Sequence, residues 1–185
     1  MGKIRFVSRI IQIIFALLFI LTPVAYVLFW TSFGIEHVYS VFHWNIANIP
    51  EVMWVKLVTG DIPPYTRFVA FIISLIPIAT FMFLYYYLFR LFGCYGHGDI
   101  FTSKTVRFIR NCGITLLLWQ ILNPLYQILM TYSLSVINGP GHRFIAVSLF
   151  GTPQARDLVT AIVIIVISWI MQRGSDLEDE VRLTV

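Results

Sequence analysis

The chain has 185 residues, of which 58% are hydrophobic and 12% are charged, and its formal net charge is +4. Soluble domains are about half apolar and about a quarter charged, so this composition excludes an ordinary soluble domain and indicates a membrane protein. Basic residues at the ends of apolar segments explain the positive charge, so it predicts no direct binding of nucleic acid.

Four apolar segments occur along the chain, and each is predicted to cross the bilayer as a helix. They cover about residues 7–30, 67–92, 105–130 and 155–173. A helix needs about 20 residues to cross about 30 Å of hydrocarbon. Lipid offers no partner for unpaired backbone groups, which favours helices over irregular structure. The sequence therefore predicts one integral membrane domain over residues 1–185, an all-α transmembrane four-helix bundle.

The distribution of basic residues predicts the orientation of this bundle. The chain has 13 Lys and Arg residues, and nine of them lie on the side that holds both termini and the turn at 93–104. An excess of Lys and Arg marks the cytoplasmic side of a membrane protein. Both termini, the turn at 93–104 and a tail at 174–185 are therefore predicted to be cytoplasmic.

The cytoplasmic turn begins the third helix with a distinct pattern, GHGDIFTSKTVRFIRNCG over Gly96 to Gly113. Glycine supplies the chain reversal, and Thr102 or Ser103 is the predicted N-cap. Three basic residues follow at three-residue spacing: Lys104, Arg107 and Arg110. They are predicted to anchor the start of the third helix at the lipid headgroups.

The two external loops, 31–66 and 131–154, are rich in β-branched and aromatic residues. In the second loop, TYSLSVI and HRFIAVSLF flank the turn sequence NGPG, a pattern typical of a hairpin. We expect a small extracytoplasmic β-containing cap built from both loops. The alternative is that the loops are irregular and only cover the helix ends.

The third helix carries a polar arc inside its apolar segment: Gln120, Asn123, Gln127 and Thr131. These residues fall within about 80° of one another on a helix, and Pro124 removes a backbone hydrogen bond beside them. Such groups must face protein or water. The favoured interpretation is that these groups form hydrogen bonds between helices. The alternative is a binding site for a small molecule or solute, for which the candidate residues are Gln120, Asn123 and Gln127.

Candidate metal and catalytic residues are sparse. The histidines are His37, His43, His97 and His142, and none lies at mid-membrane depth. A haem held between helices would need such a ligand, and Cys94 with His97 makes only half of a zinc site. No catalytic motif and no mid-membrane carboxylate occur. The sequence predicts no metal and no cofactor, and it does not favour an enzyme.

The carboxyl end is acidic, with SDLEDEVRLTV following Gly174. Gly174 is predicted to end the fourth helix. The acidic segment either pairs with the basic residues of the cytoplasmic turn or stays solvated.

GDIFT at Gly98 to Thr102, which opens the basic third helix, and the final LEDEVRLTV together resemble a bacterial family of small four-pass membrane proteins, domain of unknown function 2975. The resemblance implies a location in the bacterial cytoplasmic (inner) membrane. It also implies a gene that is frequently found beside the gene of a small helix-turn-helix regulator of the Cro type. It implies no activity and no catalytic residues. The matching positions are Gly98, Ile100, Phe101 and Thr102 in the turn, and Glu180, Leu183, Thr184 and Val185 at the end. The long external loop with two histidines departs from the family pattern.

We expect a non-enzymatic membrane protein that regulates or binds a cytoplasmic partner, with the helix-turn-helix regulator as one candidate. The predicted partner-binding residues are Gly98, Asp99, Phe101, Thr102, Lys104, Arg107, Glu178, Glu180 and Leu183. The alternative function is small-molecule binding or transport through the polar arc of the third helix. A metal-dependent membrane enzyme ranks third, and a homo-oligomer stays open.

Overall fold

The computed structural model describes residues 2–32, 63–98, 102–136, 145 and 152–183. These residues form four helices, α1 (Gly2–Ser32), α2 (Pro64–His97), α3 (Ser103–Ser135) and α4 (Thr152–Leu183). Each helix contains a segment long and apolar enough to cross a membrane: Arg5–Leu28, Pro64–His97, Ser103–Ser133 and Arg156–Asp176. The predicted all-α four-pass arrangement is confirmed, and the described residues include no strand.

Large apolar side chains cover much of the helix surface. Phe6 and Ile20 of α1 are 67% and 64% exposed, and Ile170 of α4 is 66% exposed. Surface of this kind is stable where lipid, and not water, surrounds it. The exposed faces are thus the lipid-facing faces of a membrane protein.

The chain divides into two compact units. Unit 1 comprises Met1–Leu21, Thr80–Gln120 and Thr152–Val185, and unit 2 comprises Thr22–Ala79 and Ile121–Gly151. Unit 1 therefore contains the first part of α1, the last part of α2, the first part of α3 and all of α4. Unit 2 contains the remaining parts of α1, α2 and α3.

In unit 1, aromatic contacts join α1 to α2 and α2 to α3. The Phe15 ring of α1 lies 5.9 Å from that of Phe92 and 6.3 Å from that of Tyr85. The Phe81 ring of α2 lies 5.4 Å from the Trp119 ring of α3. Phe15 lies in the first half of α1 and Phe92 near the end of α2, whereas Arg90 near the end of α2 contacts Phe108 near the start of α3. These neighbours therefore run antiparallel.

Gly113 brings α3 close to α4 in unit 1. A Cβ atom added at Gly113 would lie 2.6 Å from Ile165 Cγ1 and 3.3 Å from the Ala161 carbonyl oxygen. Small residues allow such close approach of membrane helices. Consecutive membrane-spanning helices run in opposite directions, so in a four-pass chain the amino end of α1, the α2–α3 turn and the carboxyl end of α4 lie at one end of unit 1.

Unit 2 has a polar core on α3. Asn123, Tyr126, Gln127 and Thr131 each have at most 2% of their surface exposed. Tyr126 interacts with Ser74 of α2 and Tyr26 of α1. Ser74 in turn donates a hydrogen bond from Oγ to the Ala70 carbonyl at 2.8 Å. Polar groups shielded from water in this way keep partners within the protein.

Two details of the sequence prediction are wrong. The first arm of the expected hairpin starts at Thr131, but Thr131 to Ser135 belong to α3. Their hydroxyls are satisfied by the helix itself, since Thr131 donates to the Gln127 carbonyl at 2.7 Å and Ser135 to the Tyr132 carbonyl at 2.9 Å. Gly174 also does not end its helix, because α4 continues to Leu183. The rest of the predicted β-containing cap lies outside the described residues.

Candidate functional site

The α2–α3 turn has the local structure that its sequence predicts. Gly98 follows the last residue of α2 with a positive φ of 97°, and its N–H donates to the Tyr95 carbonyl at 3.1 Å. This backbone conformation favours glycine, which has no Cβ atom. Gly98 is therefore the residue that ends α2 and reverses the chain.

Thr102, one of the two predicted candidates, is the N-cap of α3. Its Oγ1 accepts a hydrogen bond from the Thr105 N–H at 3.4 Å, and its carbonyl accepts one from the Val106 N–H at 3.1 Å. The Thr105 hydroxyl also lies 3.0 Å from Thr102 Oγ1. These contacts satisfy donors at the helix start that have no partner within the helix.

The basic residues after this cap are all exposed: Lys104, Arg107 and Arg110. A fourth cation joins them from α2, because the Arg90 guanidinium carbon lies 5.8 Å from the centre of the Phe108 ring of α3. This distance is typical of a cation–π contact. Arg90 is one of the nine basic residues on the predicted cytoplasmic side. Its contact with α3 was not predicted, because such a contact depends on the register of two helices.

The acidic end of the chain is helical. The apolar span of α4 ends at Asp176, and the helix continues through the positions of Glu178 and Glu180 to Leu183. Gln172 Nε2 donates to Asp176 Oδ1 at 2.9 Å, a contact that spans Gly174. Predicted partner-binding residues thus lie on α4 and on the α2–α3 turn, at one end of unit 1. Asp99 and Phe101 lie outside the described residues.

In the polar arc of α3, the structure brings two of the three predicted ligand-binding residues together. Gln127 Nε2 lies 3.4 Å from Asn123 Oδ1, to which it donates, and both side chains are buried. Gln120 is half-buried. This contact joins two residues one turn apart on α3 and does not link two helices. The ligand-binding role of the three residues stays a prediction.

Metal-binding groups do not cluster within the described part of the chain. No three of its His, Cys, Asp and Glu residues lie close enough to hold an ion. Cys94 and Cys112 are free thiols, and His97 Nδ1 lies 2.8 Å from the Gly93 carbonyl oxygen. His37, His43 and His142 are outside the described ranges.

Four helices long and apolar enough to cross a bilayer define a four-pass membrane protein. The family described as "Protein of unknown function (DUF2975)" matches residues 46–185, which is more than half of the chain. The chain belongs to this family, as its turn and terminal motifs predict. Comparison with curated proteins and with solved structures finds no match.

Proposed function

We propose that this protein is a non-enzymatic interaction module of the bacterial cytoplasmic membrane, and that it binds a regulatory protein at its cytoplasmic end. The observation that carries the proposal is the continuation of α4 beyond its apolar span. The seven residues after Asp176 add about 10 Å of helix. They present the acidic segment at the same end of unit 1 as the capped start of α3.

Charge supports the choice of partner. The last part of α4 contains Glu178, Asp179 and Glu180 in succession. A helix-turn-helix regulator carries a basic surface for DNA, and complementary charge steers the association of two proteins. An acidic membrane helix is therefore suited to hold such a regulator away from DNA. The partner surface consists of the predicted residues of the turn and of α4.

The proposed orientation of the protein in the membrane is argued from the basic residues at this end of unit 1. The cations Arg5, Arg9, Lys104, Arg107 and Arg173 all belong to this end of unit 1 and are all exposed. The positive-inside rule supports a cytoplasmic location for this end and so for both termini. Single-cysteine labelling with a membrane-impermeant thiol reagent tests the orientation. A cysteine at position 5 should react only in inverted vesicles, and one at position 65 only in right-side-out cells.

Site-specific photocrosslinking tests the proposed function directly. A photoreactive residue replaces Glu178, Glu180 or Lys104 in the full-length protein, and cells are irradiated before the membranes are purified. We expect one protein adduct of the same mass from all three positions. The matched control position is Tyr65, which is 77% exposed and lies at the start of α2. It should not give this adduct.

A charge variant then shows whether the acidic segment causes binding. Glu178→Gln, Asp179→Asn and Glu180→Gln together keep the length of the helix and remove three negative charges. The adduct from position 104 should fall by about 10-fold, because complementary charge is lost. Crosslinks only to lipid or to a second copy of the chain, or an adduct that the charge variant leaves unchanged, would contradict the proposal.

The polar arc of α3 supports no second function. Asn123 and Gln127 pair with each other, so no specific observation favours a solute pathway over helix packing.

A further inference from the structure

We infer that Arg5 of α1 is a positioning residue for the α2–α3 turn, and that it keeps the turn in the conformation that the regulatory partner binds. Its guanidinium group interacts with the negative end of α2, where Gly98 reverses the chain. The inference rests on the proposed function, because the turn is part of the proposed partner surface. It connects that surface with α1, a helix from which no partner-binding residue was predicted.

Arg5 lies beside the residue that follows the end of α2. A Cβ atom added at Gly98 would lie 3.9 Å from Arg5 Nη2, and both residues belong to unit 1. Gly98 has a positive φ of 97°, and its N–H donates to the Tyr95 carbonyl. The guanidinium group is therefore close to the backbone of the chain reversal.

Two further contacts in unit 1 place α1 along α2 in the same register. A Cβ atom added at Gly93 would lie 3.2 Å from Gln12 Nε2, and the Phe15 ring lies 5.9 Å from the Phe92 ring. From one contact to the next, the residue on α1 moves forward along the chain and the residue on α2 moves backward. Antiparallel neighbours require this order, so the position of Arg5 agrees with the packing of the whole helix pair.

The side chains of α1 in this interface share one face of the helix. At about 100° per residue, Arg5, Ser8, Gln12 and Phe15 fall within an arc of about 80°. Ser8 lies between Arg5 and Gln12 in the chain and is 4% exposed, so this face is directed toward protein and not toward lipid. Arg5 extends the face to the start of the membrane span of α1.

A cation suits this position because α2 ends here. The last carbonyl groups of a helix have no partner within the helix, and they carry the negative end of the helix dipole. The Gly98 N–H satisfies the Tyr95 carbonyl. A guanidinium group adds a positive charge and about five N–H donors at this end. The interaction favours the closed reversal at Gly98 over open conformations of the turn, and the start of α3 follows directly.

Hydrogen exchange of the full-length protein in detergent micelles tests the positioning. Arg5→Gln keeps a polar side chain and removes the charge. The amide of residue 98 should exchange about threefold faster, because the charge that favours the closed turn is lost. Arg5→Lys keeps the charge and should restore slow exchange. Amides of α4 are the internal reference and should not change, whereas a general loss of stability would accelerate exchange there as well.

The matched control is Arg9→Gln, which removes the same charge from an exposed position on α1. Residue 9 lies one helical turn farther along α1 than residue 5. This variant should change the exchange at residue 98 by less than about 1.5-fold, since the effect of a helix end falls off within one turn. Equal acceleration in the two variants, or no acceleration in Arg5→Gln, would overturn the inference.

Photocrosslinking in cells then connects the turn with the partner. With the photoreactive residue at position 104, Arg5→Gln should lower the yield of the partner adduct about twofold, because a smaller fraction of the protein has the turn in the binding conformation. Arg9→Gln should leave the yield unchanged. An adduct that forms but does not respond to Arg5→Gln would overturn the inference alone. If no adduct forms in the unmodified protein, the proposed function fails, and faster exchange at residue 98 would still establish that Arg5 orders the turn.

Discussion

The two parts of α3 associate with their neighbours in different ways. In unit 1, α3 meets α4 through Gly113, where the absence of a side chain allows close contact with Ala161 and Ile165. In unit 2, the same helix buries polar side chains, and one of them, Tyr126, interacts with Ser74 of α2. One part relies on shape and the other on polar contacts.

This difference shows how a membrane helix is held where the hydrophobic effect does not drive helix association. Lipid is as apolar as the helix surface, so packing and hydrogen bonds must supply the specificity. A glycine contact is sensitive to any added atom. A polar pair tolerates changes of shape but not the loss of one partner. The two parts of α3 should therefore respond differently to substitution.

The largest effect should come from Gly113→Val in unit 1. The new Cβ atom would lie 2.6 Å from Ile165 Cγ1, so the Ile165 side chain or α4 itself must shift, at a cost of about 3 kcal/mol in unfolding free energy. Unfolding in mixed micelles measures the loss. The control is Gly96→Val, because a Cβ added at Gly96 meets nothing within 4 Å. Equal losses in the two variants would show that the close contact does not stabilise unit 1.

Breaking the polar pair of unit 2 should have the next largest effect. Asn123→Leu leaves the buried Gln127 amide without this partner and should lower the unfolding free energy by about 1–2 kcal/mol. A double-mutant cycle with Gln127→Leu should give a coupling energy of about 0.2–0.5 kcal/mol, the range for side chains four residues apart on one helix. A cycle that pairs the half-buried Gln120 with Gln127 is the control. Zero coupling, with a copurifying molecule lost from each variant, would instead support the ligand-binding prediction.

A smaller loss is expected at the helix cap. Thr102→Ala removes the oxygen that accepts from the Thr105 N–H and should cost about 1 kcal/mol. The amide of residue 105 should exchange its hydrogen faster. Ser103→Ala, at the alternative cap considered from the sequence, should change neither measurement, and a larger effect at Ser103 would reverse the assignment.

The smallest effect should be found at Gly174, with the opposite sign. A Cβ atom here meets nothing within 4 Å, and the residue lies inside α4. Gly174→Ala should therefore leave stability unchanged or raise it by up to about 1 kcal/mol, because alanine loses less conformational entropy in a helix. The same unfolding assay measures it, and a clear loss would mean that the backbone at Gly174 is not held in a helix.

The four membrane helices, the N-cap and the glycine reversal could be predicted because each depends on local sequence. Apolar segments fix the spans, and Thr102 and Gly98 act on neighbouring backbone groups. The segment from Thr131 to Ser135 could not be assigned in this way. Short runs of β-branched and aromatic residues suit either a strand or a helix, and in α3 the hydroxyls of Thr131 and Ser135 bond to carbonyls of the preceding turn.

The contacts between helices could not be predicted, since they depend on how neighbours align. A lone glycine such as Gly113 indicates close packing of its helix but does not identify the neighbouring helix. Arg90 was visible only as one basic residue among several, and its position over Phe108 appears when α2 and α3 are placed side by side. The polar arc on α3 was visible from its spacing, which also puts Asn123 and Gln127 within reach of each other, whereas the contact of Tyr126 with Ser74 of α2 depends on how the two helices align.

The unbroken course of α4 from Thr152 to Leu183 has a mechanical consequence. Its 32 residues form a rod about 48 Å long, and most of that length is in or near the bilayer. A partner that pulls or twists the acidic end would act on a continuous helix and not on a flexible linker. Torque applied at that end would then be transmitted along the helix to the close contact at Gly113.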